Sequence, residues 1–308
     1  MALKFFTHPL ILYPLGLSGV GIGFGYVRNK RDTKHYDLDE QDDKTFIVTG
    51  ATSACDLSDP ESIHNFAYKL TKDETKSFEK IDGIILNAAT KVKKYKINKQ
   101  GIETNLATNH FGNFLLVGLL LQKLLNQDTA SKIVFLNLNL FGLNDGKFVK
   151  KLTSTCEIID PEKGSYDMHA AYKYSKLMDL LFARELAERL KGYFLWTSNA
   201  LGYVAGNRRP VSTAIYPILY ALGEDGVKNG TFISPRQVPR EWGENAENVQ
   251  LRQKVWLMSE QWTKLADYMG RMEEGLEKLG YFSKDSHGDD EGEKKKTRQR
   301  SAKYLWLA

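Results

Sequence analysis

The chain has 308 residues, a length that suits one α/β domain with terminal appendages better than two average domains. Hydrophobic residues make up 42% and charged residues 26%, so neither a fully disordered nor a fibrous protein is expected. The net charge is +5, and five basic residues between 294 and 300 supply much of it, which argues against a nucleic-acid-binding protein. Cys55 and Cys156 lie far apart, which excludes a disulfide scaffold and a thiolate zinc site.

The amino-terminal segment predicts a membrane anchor over residues 1–34. Residues 5–27 contain no Asp, Glu, Lys or Arg, and roughly 20 apolar residues suffice to cross a bilayer as a helix. Glycines at four-residue spacing, Gly19 with Gly23 and Gly21 with Gly25, are typical of helices that pack closely in lipid. Basic residues follow at once, which places the rest of the chain in the cytosol. The alternatives are a cleaved signal peptide, which lacks a clear cleavage site, and a hairpin or interfacial segment that does not span.

From residue 44 onwards, strand and helix patterns alternate. Strands are predicted over 44–50, 81–88, 132–138, 193–200 and 230–234, and helices from residue 59 and over 102–125, 168–190 and 247–279. The first helix begins at Asp59-Pro60-Glu61, a cap, a proline and an acid in the favoured order. Its apolar stripe consists of Ile63, Phe66, Ala67 and Leu70. Alternation with continuously apolar strands predicts an α/β fold with a doubly wound parallel sheet over residues 35–283, followed by a solvated basic tail over 284–308.

Tyr172 and Lys176 are the residues whose spacing points most clearly to chemistry. They are four residues apart at the start of a predicted helix and therefore share one face of it. A tyrosine hydroxyl has a pKa near ~10, and a nearby ammonium is expected to lower the pKa of Tyr172. Such a pair can pass a proton to a carbonyl oxygen while a hydride reaches the carbonyl carbon. The spacing alone is common by chance, but its position after the third strand of a parallel sheet makes it informative.

Several short stretches occur in a fixed order along the chain. They are Thr49-Gly50-Ala51, Asp56-Leu57-Ser58-Asp59, Asn87-Ala88-Ala89, Asn109-His110-Phe111-Gly112, and Tyr172 with Ser175 and Lys176. With these stretches, residues 44–280 resemble the short-chain dehydrogenase/reductase family. The resemblance is strongest to its membrane-associated branch of retinol dehydrogenase-like and ketosteroid reductase-like members.

The resemblance implies a Rossmann-like fold and an oxidoreductase that uses NADP or NAD. Tyr172 is then the general acid and base, Lys176 tunes its pKa, and Asn109 positions groups and relays protons. The cofactor-binding residues implied are Gly50, Asp56, Asn87, Gly202, Tyr172 and Lys176. A lipophilic carbonyl or alcohol, such as a sterol, a retinoid or an acyl ketone, is the implied substrate. The resemblance further implies a homodimer built on helices 102–125 and 168–190, at the endoplasmic reticulum or a lipid droplet with the domain facing the cytosol.

The sequence also departs from the family pattern at the cofactor turn. Two further glycines are expected after Gly50, at the positions of Ala54 and Asp56. Asp56 follows Gly50 by only six residues, where the family places two βα units of ~30 residues each. The phosphate-binding helix would be lost with that block. The remaining sheet is expected in the order 1-4-5-6-7 of the family's strands, with an exposed edge and apolar surface at strand one.

Other positions leave the activity open. Leu138 stands where the family has its catalytic serine, Asn139 could substitute for it, and Leu201-Gly202 replaces an expected Pro-Gly. Three interpretations follow: an NAD(P)H-dependent oxidoreductase, a catalytically inactive membrane scaffold or regulatory protein, and an exon-skipped product of a full-length reductase.

Each site residue also has a structural interpretation. Tyr172 and Lys176 could be relics, and Asn109 could satisfy backbone groups at a helix kink. Asn87 could cap a strand end, and Asp56 could be an ordinary loop residue. No metal site is predicted, because the histidines lack ligand spacing with carboxylates or cysteines.

Overall fold

The structure is a computed structural model. It describes residues 44–50, 54–71, 80–137, 166–191, 195–201, 216–223, 227–233 and 239–278. The predicted anchor over 1–34, the predicted tail over 284–308, and Leu138, Asn139 and Gly202 lie outside these residues. Within the described ranges, no helix is both long and apolar enough to cross a membrane.

One sheet forms the centre of the fold. Its strands are β1 (Phe46–Val48), β2 (Gly83–Leu86), β3 (Ser131–Asn137), β4 (Leu195–Leu201), β5 (Thr231–Ile233) and β6 (Pro239–Arg240), and they lie side by side in chain order. The first five are parallel, and β6 pairs antiparallel with β5. The α/β class, the parallel sheet and the order of its first five strands are confirmed. The two-residue strand β6 was not predicted.

Helices connect and cover these strands. They are α1 (Pro60–Thr71), α2 (Thr104–Leu106), a π-helical turn (Ala107–Phe111), α3 (Gly112–Asn126), α4 (Met168–Arg189), α5 (Tyr216–Gly223), α6 (Glu244–Glu247), α7 (Val249–Thr263) and α8 (Leu265–Lys278). The helical structure predicted over 247–279 is confirmed, but it is divided into α7 and α8 by a break at Lys264 that was not predicted. Asn248 starts α7 by accepting a hydrogen bond from the backbone N–H of Leu251, and Lys264 adopts the left-handed conformation (φ 51°) that ends it. Helix α5 was not predicted either.

The main hydrophobic core lies on one face of the sheet, under α1, α3, α4, α7 and α8. Ile63, Ala67 and Leu70 of the predicted α1 stripe are buried there, and Phe66 packs against the same cluster. At its centre the rings of four buried aromatic residues meet at centroid distances of 4.9–5.7 Å: Phe114, Phe135, Phe182 and Trp256. This packing fixes α3 and α4 against β3. The candidate site lies beside the carboxyl end of that strand.

A smaller cluster lies on the opposite face, where α5 packs against β3 and β4. Ile85 and Val134 are fully buried in this cluster. Phe46 and Val48 of β1 are only partly buried beside it. Among the described residues, no strand pairs with the outer edge of β1. The second face is therefore less completely covered at β1 than at the centre of the sheet, as the shortened sheet predicted.

Candidate active site

Thr49, Gly50, Asn87 and Ala88 join the carboxyl ends of β1 and β2, and we call these four residues the β1–β2 junction. The Thr49 Oγ1 accepts hydrogen bonds from the backbone N–H groups of Asn87 (3.0 Å) and Ala88 (2.9 Å). The Asn87 side chain returns a bond of 3.2 Å to the Thr49 carbonyl oxygen. Gly50 has a φ of 83°, and a β-carbon there would lie 3.1 Å from the Ala88 Cα. The Thr-Gly pair is thus required by the junction itself.

Acidic side chains stabilise the segment that leads into α1. The Asp56 Oδ1 accepts hydrogen bonds from the Ser58 N–H (2.9 Å) and the Ser58 Oγ (2.8 Å). Asp59 caps the helix as predicted, since its Oδ1 accepts from the Glu61 N–H at 3.1 Å and its Oδ2 bonds Lys99 at 2.7 Å. In this structure Asp56 therefore acts as a turn residue, and the start of α1 already carries carboxylates.

Gly112 brings this segment into contact with the helix that follows β2. A β-carbon on Gly112 would lie 2.2 Å from the Leu57 carbonyl oxygen, a distance that no side chain could occupy. The glycine of the Asn109-x-x-Gly112 stretch is explained by this approach of two backbones.

Asn109 lies fully buried in the π-helical turn and ties three segments together. Its Oδ1 accepts from the Thr90 N–H at 2.6 Å, and its Nδ2 donates to the Thr90 carbonyl oxygen at 2.9 Å. The same Nδ2 donates to the Ser175 Oγ at 2.9 Å. Ser175 in turn donates to the Tyr172 carbonyl oxygen at 2.8 Å. As the structural interpretation expected, Asn109 satisfies backbone groups, here those of Thr90, and its amide links the loop after β2 to the start of α4.

Helix α4 presents Tyr172 and Lys176 beside the end of β3. Asp167 caps the helix, its carboxylate accepting from the backbone N–H groups of His169 and Ala170. The Lys176 Nζ donates to the Leu136 carbonyl oxygen at 2.9 Å and lies 3.5 Å from the Asp179 Oδ2. Asn109, Tyr172, Ser175 and Lys176 are called the α4 site below.

Asn137 fixes the α4 site to β3. It lies at the carboxyl end of that strand and is buried. Its Nδ2 donates to the Lys176 carbonyl oxygen at 3.0 Å. Asn137 therefore holds the backbone of α4 at Lys176.

The expected lowering of the Tyr172 pKa is wrong for this structure. Burial raises the pKa of Tyr172 above its ordinary value, and the Asp179 carboxylate raises it further. Because the Lys176 ammonium contacts Asp179, its positive charge is offset within the helix interior. Tyr172 is therefore protonated at neutral pH.

Several residues at the site carried no clear signal in the sequence. The Lys91 Nζ lies 5.5 Å from the centroid of the Tyr172 ring and 3.0 Å from the His169 Nδ1. Lys91 is one of several lysines in residues 91–99, so nothing in the sequence distinguished it. Asp179 is buried in the middle of a long helix, where a carboxylate is normally expected on the outer face.

A second buried acid, Glu103, supports the loop that carries Lys91. Its carboxylate accepts from the Leu106 N–H at 3.0 Å, from Asn105 at 2.8 Å and from the Tyr166 hydroxyl at 3.2 Å. Tyr166 also donates to the Val92 carbonyl oxygen at 3.0 Å. Burial raises the pKa of Glu103, while the hydrogen bonds lower it. An acidic residue directly before a helix is a recognisable cap signal that could have identified Glu103.

The two regions differ in how well they fit a dinucleotide. At the α4 site, Tyr172 is half-buried beside the carboxyl ends of the strands, where a nicotinamide and a carbonyl group could meet. At the start of α1, the carboxylates of Asp56, Asp59 and Glu61 oppose a diphosphate. The surroundings of Tyr172 are compatible with a bound dinucleotide. The described residues after β1 do not form a phosphate-binding site. Among the described residues, no cluster of three or more His, Cys, Asp or Glu could hold a metal ion.

Comparisons with known proteins agree with the resemblance. Retinol dehydrogenase 12 of Bos taurus is 36% identical over 137 residues, which are 44% of this chain and 39% of that protein. Retinol dehydrogenase 13 of Mus musculus is 35% identical over 146 residues, or 47% of this chain and 40% of that protein. The chain thus matches about two fifths of the length of these relatives. No protein-family model matches the chain.

A solved structure extends the comparison to the fold. An uncharacterized protein of Mycobacterium paratuberculosis is 27% identical, with a TM-score of 0.54 over 68% of this chain and 74% of that one. Together with the ordered motifs, the sequence relatives support the resemblance to the short-chain dehydrogenase/reductase family, and the solved structure supports the fold. Within that family, the relatives at about 35% identity are retinol dehydrogenases, which supports the resemblance to the retinol dehydrogenase-like branch.

Proposed function

We propose that the chain is an oxidoreductase that uses NADP or NAD to interconvert a lipophilic carbonyl compound and its alcohol at a membrane. The observation that carries this proposal is the α4 site. Asn109 is bonded to Ser175, Ser175 to the Tyr172 backbone, and Lys176 to the end of β3. The names of the relatives, which are retinol dehydrogenases, favour a lipophilic substrate.

In this proposal the chain's own residues hold and move the proton. Tyr172 is protonated at neutral pH and donates its hydroxyl proton to the carbonyl oxygen in the reductive direction. The dinucleotide, when bound, supplies the hydride that completes the alcohol. Asn109 fixes the backbone of Thr90 and thereby the loop that carries Lys91 towards the Tyr172 ring. Lys176 fixes the helix that carries Tyr172 to the end of β3 through its bond to the Leu136 carbonyl oxygen.

The membrane and the oligomer belong to the same proposal. The uncharged stretch over residues 5–27 would hold the enzyme where a lipophilic substrate is dissolved, at the endoplasmic reticulum or a lipid droplet. A homodimer through α3 and α4 is proposed from the family resemblance.

A second candidate is a catalytically inactive membrane scaffold or regulatory protein, including the product of an exon-skipped reductase transcript. The observation that favours it is the short connection between β1 and α1. Asp56 and Asp59 use their carboxylates to build the turn and the helix cap there, where the family expects a phosphate-binding helix.

Turnover by the full-length chain in lipid nanodiscs distinguishes the two candidates. A panel of lipophilic aldehydes and ketones is supplied with NADPH or NADH, and nicotinamide absorbance is followed. Tyr172→Phe is expected to reduce turnover by roughly 10²–10⁴-fold. Tyr68→Phe on α1 serves as the matched control and should keep the parent rate. No turnover by a folded parent chain, or equal rates for the parent and Tyr172→Phe, would contradict the oxidoreductase.

A further inference from the structure

Helix α4 contains a buried ion pair directly below Tyr172. Lys176 and Asp179 are three residues apart, with 3% and 0% of their surface exposed. The Lys176 Nζ lies 3.5 Å from the Asp179 Oδ2. Two opposite charges in a helix interior are costly unless each offsets the other. The pair therefore needs an explanation beyond packing.

The surroundings of the pair are sparse in other charges. Among the described residues, the Asp179 Oδ1 has no hydrogen-bond partner. Asn113 of α3 faces Asp179, and burial raises the pKa of Asp179 to about 6. The fully buried His110 of the π-helical turn is kept neutral, because burial and then the Lys176 charge lower its pKa to about 3. Lys176 is thus the only described cation whose charge acts directly on both Asp179 and His110.

We propose that Asp179 is a positioning residue that holds the Lys176 ammonium at the end of β3 and neutralises it. The acidity of the Tyr172 hydroxyl is then set by the pair and not by Lys176 alone. The geometry supports this, because the lysine bridges the Leu136 carbonyl oxygen and the Asp179 carboxylate. The catalytic meaning of the inference rests on the proposed function, whereas its electrostatic part does not.

The expected effect of removing the carboxylate follows from the signs of the charges. In the parent chain, the negative charge of Asp179 disfavours a negative phenolate at Tyr172. In Asp179→Asn, that charge is absent and the ammonium of Lys176 is left uncompensated. Both changes favour the phenolate, so Tyr172 becomes more acidic. The asparagine keeps the shape of the side chain and an acceptor oxygen for Lys176.

The test is a titration of Tyr172 by NMR in the full-length chain. Tyrosine labelled with ¹³C at the ring carbon that bears the hydroxyl reports each phenol, and Tyr172→Phe assigns the signal among the 15 tyrosines. The parent signal is expected to titrate above pH 10. Asp179→Asn is expected to increase the acid dissociation constant of Tyr172 at least tenfold. If the acid dissociation constant of Tyr172 is unchanged in folded Asp179→Asn, the proposal is overturned. This holds whether Lys176 has lost its proton in the variant or has no influence on Tyr172.

Two further variants complete the test. Glu185→Gln removes a buried carboxylate of the same helix that is 3.1 Å from Arg252, and it should leave the Tyr172 titration unchanged. The double variant Lys176→Met with Asp179→Leu removes both charges of the pair. It provides a second measurement of the acidity of Tyr172 if Asp179→Asn does not fold. Because the lost carboxylate and the lost ammonium act on the phenolate with opposite signs, the double variant should keep the dissociation constant within threefold. A tenfold increase in the double variant would overturn the proposal.

This experiment needs neither cofactor nor turnover. A chain that proves inactive but shows the Tyr172 shift would contradict the proposed function and support the pairing. In an active chain, the alkaline limb of the kcat profile of Asp179→Asn should move to lower pH by the same factor.

Discussion

The β1–β2 junction and the α4 site lie at the same edge of the sheet but are built differently. The junction is held by the hydroxyl of Thr49 and by the amide of Asn87, and the segment that follows it satisfies its own turn with carboxylates. The α4 site is held by buried side chains that bond the loop after β2, strand β3 and helix α4. The two regions are therefore held by different side chains, and they come into contact where Gly112 packs against Leu57.

Three residues of the α4 site have a structural role in addition to their proposed chemical role. Asn109, Ser175 and Lys176 each bond to backbone groups that the fold needs. Their presence is accounted for by stability as well as by chemistry. The Tyr172 hydroxyl is the group that catalysis alone would require, so variants that separate fold from activity are the informative ones.

The largest expected effect concerns Gly112, where the two regions meet. Gly112→Ala would place a β-carbon 2.2 Å from a backbone oxygen and should lower the free energy of unfolding by about 3 kcal/mol. Gly270→Ala in α8 is the matched control, since nothing lies within 4 Å of its added carbon. The control should be stabilised by about 0.5–1 kcal/mol. Chemical denaturation measures both, and a tolerated Gly112→Ala would contradict the close approach.

Asn109→Ala tests the α4 site itself. The substitution removes three hydrogen bonds from a fully buried position and should cost about 2 kcal/mol. Asn126→Ala near the end of α3 provides the comparison, because its Oδ1 has no hydrogen-bond partner among the described residues. We expect that control to stay within about 0.5 kcal/mol of the parent in urea denaturation. Equal losses for the two variants would show that the Asn109 network does not stabilise the fold.

The buried carboxylate of Asp179 should make stability depend on pH. The pKa of Asp179 rises from 3.8 to about 6 on folding. Protonated Asp179 therefore stabilises the folded state fully below pH 4, and this stabilisation is lost as the pH rises through 6. The contribution of His110 to stability changes with pH in the opposite direction, because its pKa falls to about 3. The informative quantity is therefore the difference in unfolding free energy between the parent and Asp179→Asn. That difference should shift against the parent between pH 4 and pH 7, and a flat difference would refute the raised pKa.

Thr49→Val should have the smallest of these effects. The variant keeps the shape of the side chain but loses the acceptor for two backbone N–H groups, at an expected cost of about 1–2 kcal/mol. Thermal unfolding at pH 7 measures the loss. A loss larger than that of Asn109→Ala would reverse the comparison between the two regions.

Much of the fold followed from the sequence, for identifiable reasons. The apolar strands and the Asp59-Pro60 start of α1 are local signals, and both are confirmed. The break at Lys264 could not be predicted, because a lysine in the left-handed conformation leaves no trace in composition. The same holds for α5, whose apolar residues had no recognisable start.

The candidate site was predicted less completely than the fold. The spacing of Tyr172 and Lys176 identified the helix face, but the direction of the Tyr172 pKa depended on Asp179, which the spacing did not include. Lys91 reaches the Tyr172 ring only through a loop that Asn109 fixes from 19 residues away. Such contacts depend on tertiary packing and not on local pattern.

The central claim is that this chain binds a dinucleotide in spite of the short connection after β1. Titration of the full-length chain in nanodiscs with NADPH and NADH, followed by nicotinamide fluorescence, tests it most directly. Saturable binding in the micromolar range is expected, with the same circular dichroism spectrum before and after the titration. A folded chain that binds neither nucleotide at millimolar concentration would contradict the oxidoreductase and leave the scaffold.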